Sequence, residues 1–300
     1  PCLGRYCVDM STRATKQLTL FEPRLLHGSS TDLSRIINVA SVPKRSPFRY
    51  PGGKTWLIPR IRAWIASLPS TPRRFVEPFA GGGIVSLTVA AEELSDHAVM
   101  VELDPQIAAV WRTILSDGKA LWLANRIADF KLSYESVRYE LSRKRRSTRE
   151  IAFQTILKNR TYHGGILAPG SALIKNGENG KGISSRWYPA TLFRRIVDIN
   201  DFGNKIEFIE GDGLQIMQSY ASDRSSVFFI DPPYTAAGKK AGARLYTHYE
   251  LDHDSLFRIA SSLKGDVLMT YDDAEGVCDL AKQYGFDVER IAMKNTHHAE

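Results

Sequence analysis

The stretch Val227–Tyr234, with the sequence VFFIDPPY, runs from four apolar residues straight into a polar turn. The apolar residues predict a strand of a parallel sheet, buried on both faces. Pro232 and Pro233 cannot continue a β-ladder, so we expect the strand to end at Asp231. Open α/β sheets bind ligands at the carboxyl ends of their strands. The Asp231 carboxylate, the Pro232 carbonyl and the Tyr234 ring therefore predict a site for a planar group that donates N–H bonds.

The composition sets broad limits on the class of protein. The 300 residues are 43% hydrophobic and carry a formal net charge of +7. This length suits one large domain or one domain with an insertion, and the positive charge favours a polyanionic partner. Cys2, Cys7 and Cys278 have no metal-ligand spacing, so we expect no metal and a reducing, cytoplasmic setting. No apolar run reaches the length of a membrane span, so we expect no membrane partner.

The N-terminal residues 1–44 are rich in Ser, Thr and Arg and show little periodicity, which predicts a flexible tail. Met10 resembles a natural start, and residues 1–9 are therefore expected to be an extension without function. Within the tail, the stretch QLTLF resembles the pentapeptide by which bacterial replication and repair proteins dock on the sliding clamp. The residues that carry this possible clamp contact are Gln17, Leu18, Leu20 and Phe21.

A second strand–turn–helix pattern lies in Arg73–Leu87, with the sequence RRFVEPFAGGGIVSL. Three consecutive glycines, Gly81–Gly83, allow backbone amides to approach a bound ligand where a Cβ would clash. The spacing differs from the GxGxxG pattern of dinucleotide-binding folds. The next apolar run ends at Glu102, and an acid at the end of the second strand commonly binds the ribose hydroxyls of a nucleoside cofactor. Asp104 is the second candidate for that role.

Two further motifs flank this unit. Ser46–Lys54, with the sequence SPFRYPGGK, predicts a glycine turn that leads into a helix, with Lys54 as a cation beside the turn. Ile206–Asp212 predicts another strand that ends in Gly-Asp, and Asp212 is a candidate for cofactor contact.

The middle of the chain has a different pattern. Helical periodicity, the basic run Ser142–Arg146, the stretch Leu157–Ile166 and a glycine-rich loop exceed what a crossover between parallel strands needs. Residues 116–203 therefore predict an inserted, mainly helical module that can contact phosphates and base edges.

Taken together, the motifs resemble in type and order those of the Dam-like, D12 class DNA adenine-N6 methyltransferases. The resemblance covers most of residues 46–298. It implies a class I S-adenosylmethionine-dependent methyltransferase fold, which is α/β and Rossmann-like, formed by residues 45–115 and 204–300. It also implies that the insert 116–203 recognises DNA. The family has a further strand after Phe286–Ile291, for which this chain shows no counterpart.

The resemblance implies methyl transfer from S-adenosylmethionine to N6 of an adenine that is flipped out of double-stranded DNA at a specific sequence. The implied catalytic residues are Asp231, Pro232 and Tyr234. The implied cofactor-binding residues are Tyr50, Gly52, Gly53, Lys54, Glu77, Pro78, Phe79, Gly81, Gly82, Gly83, Glu102, Asp212 and Asp231. The expected DNA-binding residues are Arg143, Lys144, Arg145, Arg146, Asn159, Arg160, Lys239, Lys240 and Arg244. The last three belong to a glycine-bearing loop that we expect to close over the target nucleotide.

Three alternatives stay open from the sequence. Cytosine N4 presents the same kind of amine, although Asp231 favours adenine because enzymes of that type more often have Ser at this position. An RNA methyltransferase is less favoured because of the large insert. A non-catalytic DNA-binding module with the same fold is opposed by the intact Asp231, Gly81–Gly83 and Glu102.

Overall fold

The protein is built around one parallel β-sheet. The computed structural model describes residues 5–9, 41–49, 53–116, 118–177, 180–233, 251–271 and 276–290. Within this part of the chain the sheet has seven strands: β1 (Arg5–Asp9), β2 (Arg74–Glu77), β3 (His97–Glu102), β4 (Ile206–Glu210), β5 (Ser226–Ile230), β6 (Val267–Tyr271) and β7 (Asp287–Arg290).

The strands lie in the order β4-β3-β2-β5-β6-β1-β7. Every strand pairing in the described residues is parallel. The carboxyl ends of the strands therefore meet at one edge of the sheet, where open α/β sheets bind ligands. The strand that ends before Asp231, β5, lies near the middle of this edge between β2 and β6.

Helices cover both faces of the sheet. The described helices are α1 (Ile58–Ala66), α2 (Ile84–Ala91), α3 (Pro105–Ile114), α4 (Lys119–Ala128), α5 (Tyr134–Ser142), α6 (Thr148–Thr161), α7 (Pro189–Asn200), α8 (Gly213–Ser219), α9 (His253–Ser262) and α10 (Val277–Gln283). Along β5, Val227 and Phe229 join the hydrophobic cluster of α1 and α2, whereas Phe228 and Ile230 join that of α8, α9 and α10. This alternation explains why β5 is apolar at consecutive positions.

The helices α4–α7 lie between α3 and β4 in the chain. They share one hydrophobic cluster with α3, in which Trp111 of α3 is grouped with Leu123, Phe153 and Ile196 of the later helices. The helical segment is therefore continuous with the core beside the sheet. The predicted Rossmann-like α/β fold, with a helical insertion, is confirmed.

Part of the expected N-terminal tail belongs to the fold. Arg5–Asp9 lies between β6 and β7 and forms a parallel ladder with each of them. Val42 is only 3% exposed and contributes to the cluster of α1 and α2. The prediction of a tail over residues 1–44 was therefore wrong at both of its ends. A five-residue strand is too short to distinguish from a polar tail by periodicity alone.

We predict that deletion of residues 1–9 lowers the Tm of the protein, because it removes the strand that pairs with both β6 and β7. The expected fall is about 5 °C or more, which corresponds to the loss of a few kcal/mol in a protein of this size. Deletion of residues 1–4 is the matched control, since it shortens the chain and keeps the strand. Equal Tm values for both deletions and the full chain, measured by calorimetry, would contradict the observed pairing.

Candidate active site

A cavity of about 640 Å³ opens at the carboxyl edge of the sheet. Four carboxylates on its wall come from the ends of four neighbouring strands. Glu77 ends β2, Glu102 ends β3, Asp212 follows β4, and Asp231 follows β5. The sequence singled out all four residues, and the parallel topology brings them to one cavity.

The glycine turn after β2 is fixed against the core. Gly83 has a φ of +63°, and a Cβ at this position would lie 2.5 Å from Met100 Cε and 2.9 Å from Trp111 Cζ2. The Trp111 indole N–H donates to the Gly81 carbonyl at 2.9 Å. Ser46 closes the turn from the other side, because its hydroxyl donates to the Gly82 carbonyl at 2.5 Å. Close packing of the turn thus requires a glycine at position 83, whether or not a ligand approaches the turn.

Glu102 is oriented by the backbone around it. One carboxylate oxygen accepts the Gly81 N–H at 3.0 Å and the other accepts the Asp104 N–H at 2.8 Å. Burial raises the pKa of Glu102 to about 7. The Leu103 N–H is a third backbone donor to this group, and a carboxylate with about four acceptor sites can still accept a bond from a hydroxyl. Asp104 is engaged elsewhere, because its carboxylate caps α3 by accepting the Gln106 N–H at 2.8 Å.

Glu77 is the most deeply buried of the four carboxyl groups, with 3% of the residue exposed. One of its oxygens accepts the Ser86 N–H at 2.9 Å and the Ser86 hydroxyl at 2.5 Å. Burial raises the pKa of Glu77 to about 8, although the two bonds from Ser86 oppose this shift. The nearby Asp231 charge raises the pKa further, and the Lys54 charge lowers it. Much of this group is therefore protonated at neutral pH.

Asp231 is held from two sides. The Lys54 ammonium lies 2.7 Å from one of its carboxylate oxygens, and the Lys54 side chain is only 4% exposed. The Thr270 hydroxyl donates to the other carboxylate oxygen at 2.5 Å. Both oxygens thus have a defined direction before any substrate arrives. The Lys54 ammonium thus contacts Asp231, and the cofactor contact that the resemblance implied for Lys54 stays a prediction.

Thr270 was not among the residues predicted from the sequence. Thr270 lies on β6, where Met269 is the register partner of Ile230, so the next residue of each strand falls side by side. A threonine in an otherwise buried strand is unremarkable without that register. Only the pairing of β6 with β5, the strand that ends before Asp231, could have identified Thr270.

The candidate DNA contacts of the insert fall into two groups. Arg145 forms ion pairs with Glu140 at 2.8 Å and with Glu150 at 3.0 Å, so its charge is balanced within the insert. Its neighbours Lys144 and Arg146 are exposed. None of the residues 143–146 lines the cavity.

Asn159 and Arg160 lie close to the cavity instead. Asn159 is fully buried. Its side-chain oxygen accepts the Arg49 N–H at 2.8 Å, and its side-chain nitrogen donates to the Arg49 carbonyl at 2.8 Å. A buried amide cannot reach DNA, so the structure gives Asn159 a structural role in place of the expected DNA contact. Arg160 is 7% exposed and donates to the Pro47 carbonyl. Both side chains hold the segment that forms one wall of the cavity.

Several candidate residues lie outside the described part of the chain. They are Gln17, Leu18, Leu20, Phe21, Tyr50, Gly52, Tyr234, Lys239, Lys240 and Arg244. Their roles, including the sliding-clamp contact and loop closure, stay predictions. Among the described residues, no group of three or more His, Cys, Asp or Glu is arranged to hold a metal ion. No helix in those same residues is long and apolar enough to cross a membrane.

The protein combines a parallel sheet with a glycine turn after β2, the Glu102 carboxylate at the end of β3 and the sequence Asp-Pro-Pro after β5. This combination defines a Rossmann-like methyltransferase. The model of the D12 class N6 adenine-specific DNA methyltransferase family matches residues 50–296. The chain belongs to this family, and it is therefore an enzyme that transfers a methyl group to adenine in DNA.

Other comparisons are less specific. No curated protein matches the chain. Two solved structures of the rRNA methyltransferase aviRa from Streptomyces viridochromogenes are similar to it. The first, at 15% identity, covers 71% of each chain with a TM-score of 0.31. The second, at 14% identity, covers 76% of this chain and 78% of the other with a TM-score of 0.33.

We predict that Thr270→Val lowers kcat by about 10- to 100-fold, the effect of losing a hydrogen bond to a charged group. Valine keeps the volume of threonine and removes the donor to Asp231. Thr270→Ser restores the hydroxyl and should recover most of the activity. The Tm values and the cofactor Kd of both variants should stay near those of the wild type. Equal kcat values for the Val and Ser variants would show that the hydroxyl does not position Asp231.

We predict that Glu77→Gln makes stability less dependent on pH. The pKa of Glu77 is about 8 in the folded protein, and its ordinary value is 4.5. The contribution of Glu77 to the free energy of unfolding is therefore fully present below pH 4.5 and is lost as the pH rises toward about 8. Glutamine can accept both bonds from Ser86 and does not titrate. Between about pH 5 and pH 8, the wild type should lose roughly 1 kcal/mol or more of unfolding free energy beyond any loss in the variant.

Urea titrations at the two pH values measure that difference. Glu102 titrates in both proteins, so its contribution cancels in the comparison. Parallel pH profiles of the wild type and Glu77→Gln would contradict the raised pKa.

Proposed function

We propose that this enzyme uses S-adenosylmethionine to methylate N6 of an adenine that is flipped out of double-stranded DNA at a specific sequence. The observation that carries the proposal is the position of Asp231. Its carboxylate follows the central strand, lies in the same cavity as Glu102, and is oriented by Lys54 and Thr270.

The cavity wall suits a nucleoside cofactor. We assign Glu102 to the ribose hydroxyls, because both of its oxygens are oriented by backbone amides and retain acceptor capacity. Asp212 caps α8 through the Leu214 N–H at 2.8 Å and is assigned to the adenine end of the cofactor. The turn Gly81–Gly83 lines the same cavity with little side-chain bulk. When bound, S-adenosylmethionine supplies a methyl group that a nitrogen nucleophile can attack.

The acceptor chemistry belongs to Asp231 and Pro232. The adenine amine is a weak nucleophile because its lone pair is delocalised into the ring. Asp231 and the Pro232 carbonyl can accept its two N–H bonds, which favours a tetrahedral nitrogen and localises the lone pair. The carboxylate also stabilises the positive charge that develops on that nitrogen. Tyr234 follows directly in the chain and is assigned to stacking on the base.

Access to the amine requires the base to leave the duplex, which costs a few kcal/mol. Exposed cations on the insert, including Lys144 and Arg146, are suited to phosphate contacts that offset this cost. The insert is also the segment large enough to place side chains in a groove for recognition of a sequence. Lys239, Lys240 and Arg244 are assigned to the loop that closes on the target nucleotide.

Asp231→Asn tests the catalytic assignment. Asparagine keeps the shape of the side chain but removes the negative charge that stabilises the positive charge developing on the amine nitrogen. We expect kcat to fall about 100- to 10,000-fold, the usual contribution of such a group, while S-adenosylmethionine still binds by calorimetry. Asp201→Asn, which neutralises an exposed carboxylate outside the cavity, is the control and should stay fully active. Near-normal turnover of Asp231→Asn would overturn the assignment.

A further inference from the structure

Two arginines of the insert contact the segment 46–49. Arg160 of α6 donates to the Pro47 carbonyl, and Arg195 of α7 donates to the Ser46 carbonyl at 2.9 Å. Arg49 belongs to this segment itself. Arg49 and Arg195 both line the cavity that contains Asp231.

These positive charges lack carboxylate partners in the described part of the chain. No ion pair there involves Arg49, Arg160 or Arg195. The Nε of Arg160 is buried and has no hydrogen-bond partner among the residues that the structure describes. Burial, together with the nearby charges of Arg195, Arg49 and Arg186, lowers the pKa of Arg160 to about 10. Like charges that are partly buried without acids repel each other and are stabilised by a bound anion.

The surroundings favour nucleic acid as the source of that anion. Tyr188 lies close to Arg49 and Arg160, and its ring is exposed, with 48% of the residue accessible. Its hydroxyl donates to the Ser185 carbonyl at 2.7 Å, which fixes the direction of the ring. DNA presents phosphates beside bases that can stack, so a rigid aromatic ring next to guanidinium groups suits it better than an isolated small anion.

The cavity is also electrostatically divided. Glu102, Asp212 and Asp231 lie at the ends of the strands, whereas Lys44, Arg49 and Arg195 lie on the wall next to the insert. A polyanion would approach along the basic wall and present a base to the acidic end. The same division would hold the cationic sulfonium cofactor near the carboxylates.

We propose that Arg49 and Arg195 form a phosphate-binding site for the DNA strand that contains the target adenosine, with the buried charge of Arg160 behind them. The site holds the phosphodiester next to this nucleotide at the cavity mouth, so that the flipped base points toward Asp231. This inference rests on the proposed function, and it assigns strand binding to residues beyond the exposed basic run of the insert.

Arg49→Gln is the principal test. The Arg49 backbone is held by Asn159 independently of the side chain, so the variant should fold. We expect the Kd for a DNA duplex to rise about tenfold and the slope of log K against log salt to decrease in magnitude by about 0.9, the effect of one lost phosphate contact. The Kd for S-adenosylmethionine and the Tm should not change. Arg195→Met, which retains the apolar stem, should act in the same direction.

Lys264→Gln is the matched control. Lys264 is an exposed cation that precedes β6, at the amino edge of the sheet opposite the cavity, so its loss should leave the salt slope unchanged. An unchanged salt slope and DNA Kd in both arginine variants would overturn the inference. A weakened S-adenosylmethionine Kd with normal DNA binding would also overturn it, because the anion would then be the carboxylate of the cofactor. In either case, continued methylation by the wild type would leave the proposed function intact.

Discussion

The ion pair between Lys54 and Asp231 links the residues before α1 to the end of β5 in the active site. Lys54 stands just before α1, and Asp231 follows β5, so the 2.7 Å contact fixes Lys54 against the centre of the sheet. A charge that is almost completely buried needs such a partner, and removing either member would leave the other uncompensated. The Thr270 hydroxyl completes the arrangement from the neighbouring strand. Orientation of the carboxylate is therefore built into the fold.

The division of charge around the cavity follows from the topology. Parallel strands bring their terminal carboxylates to one edge, and the insert between β3 and β4 brings Arg195 to the adjoining wall. Asn159 and Arg160 support that wall by bonding to the backbone of Arg49 and Pro47. An insert that shares the core of α3 can thus determine both the shape and the charge of the substrate entrance.

The sequence predicted those features that depend on local pattern. Asp231, Glu102 and Asp212 were identified because each follows an apolar strand, and the parallel sheet then places them together. Features that depend on register or on distant contacts could not be predicted. Thr270 becomes meaningful only through the pairing of β5 with β6. Arg145 belongs to a basic run, yet its charge is matched by Glu140 and Glu150, which only the packing of α5 and α6 reveals.

In the proposed function, this cavity holds a methyl donor next to the N6 amine of adenine. Nucleoside mass spectrometry of plasmid DNA incubated with the protein and S-adenosylmethionine tests it most directly. We expect N6-methyldeoxyadenosine as the product, and none of it when Asp231 is replaced. N4-methyldeoxycytidine as the product would contradict the base assignment, and unmodified DNA in the presence of bound cofactor would contradict the proposed function.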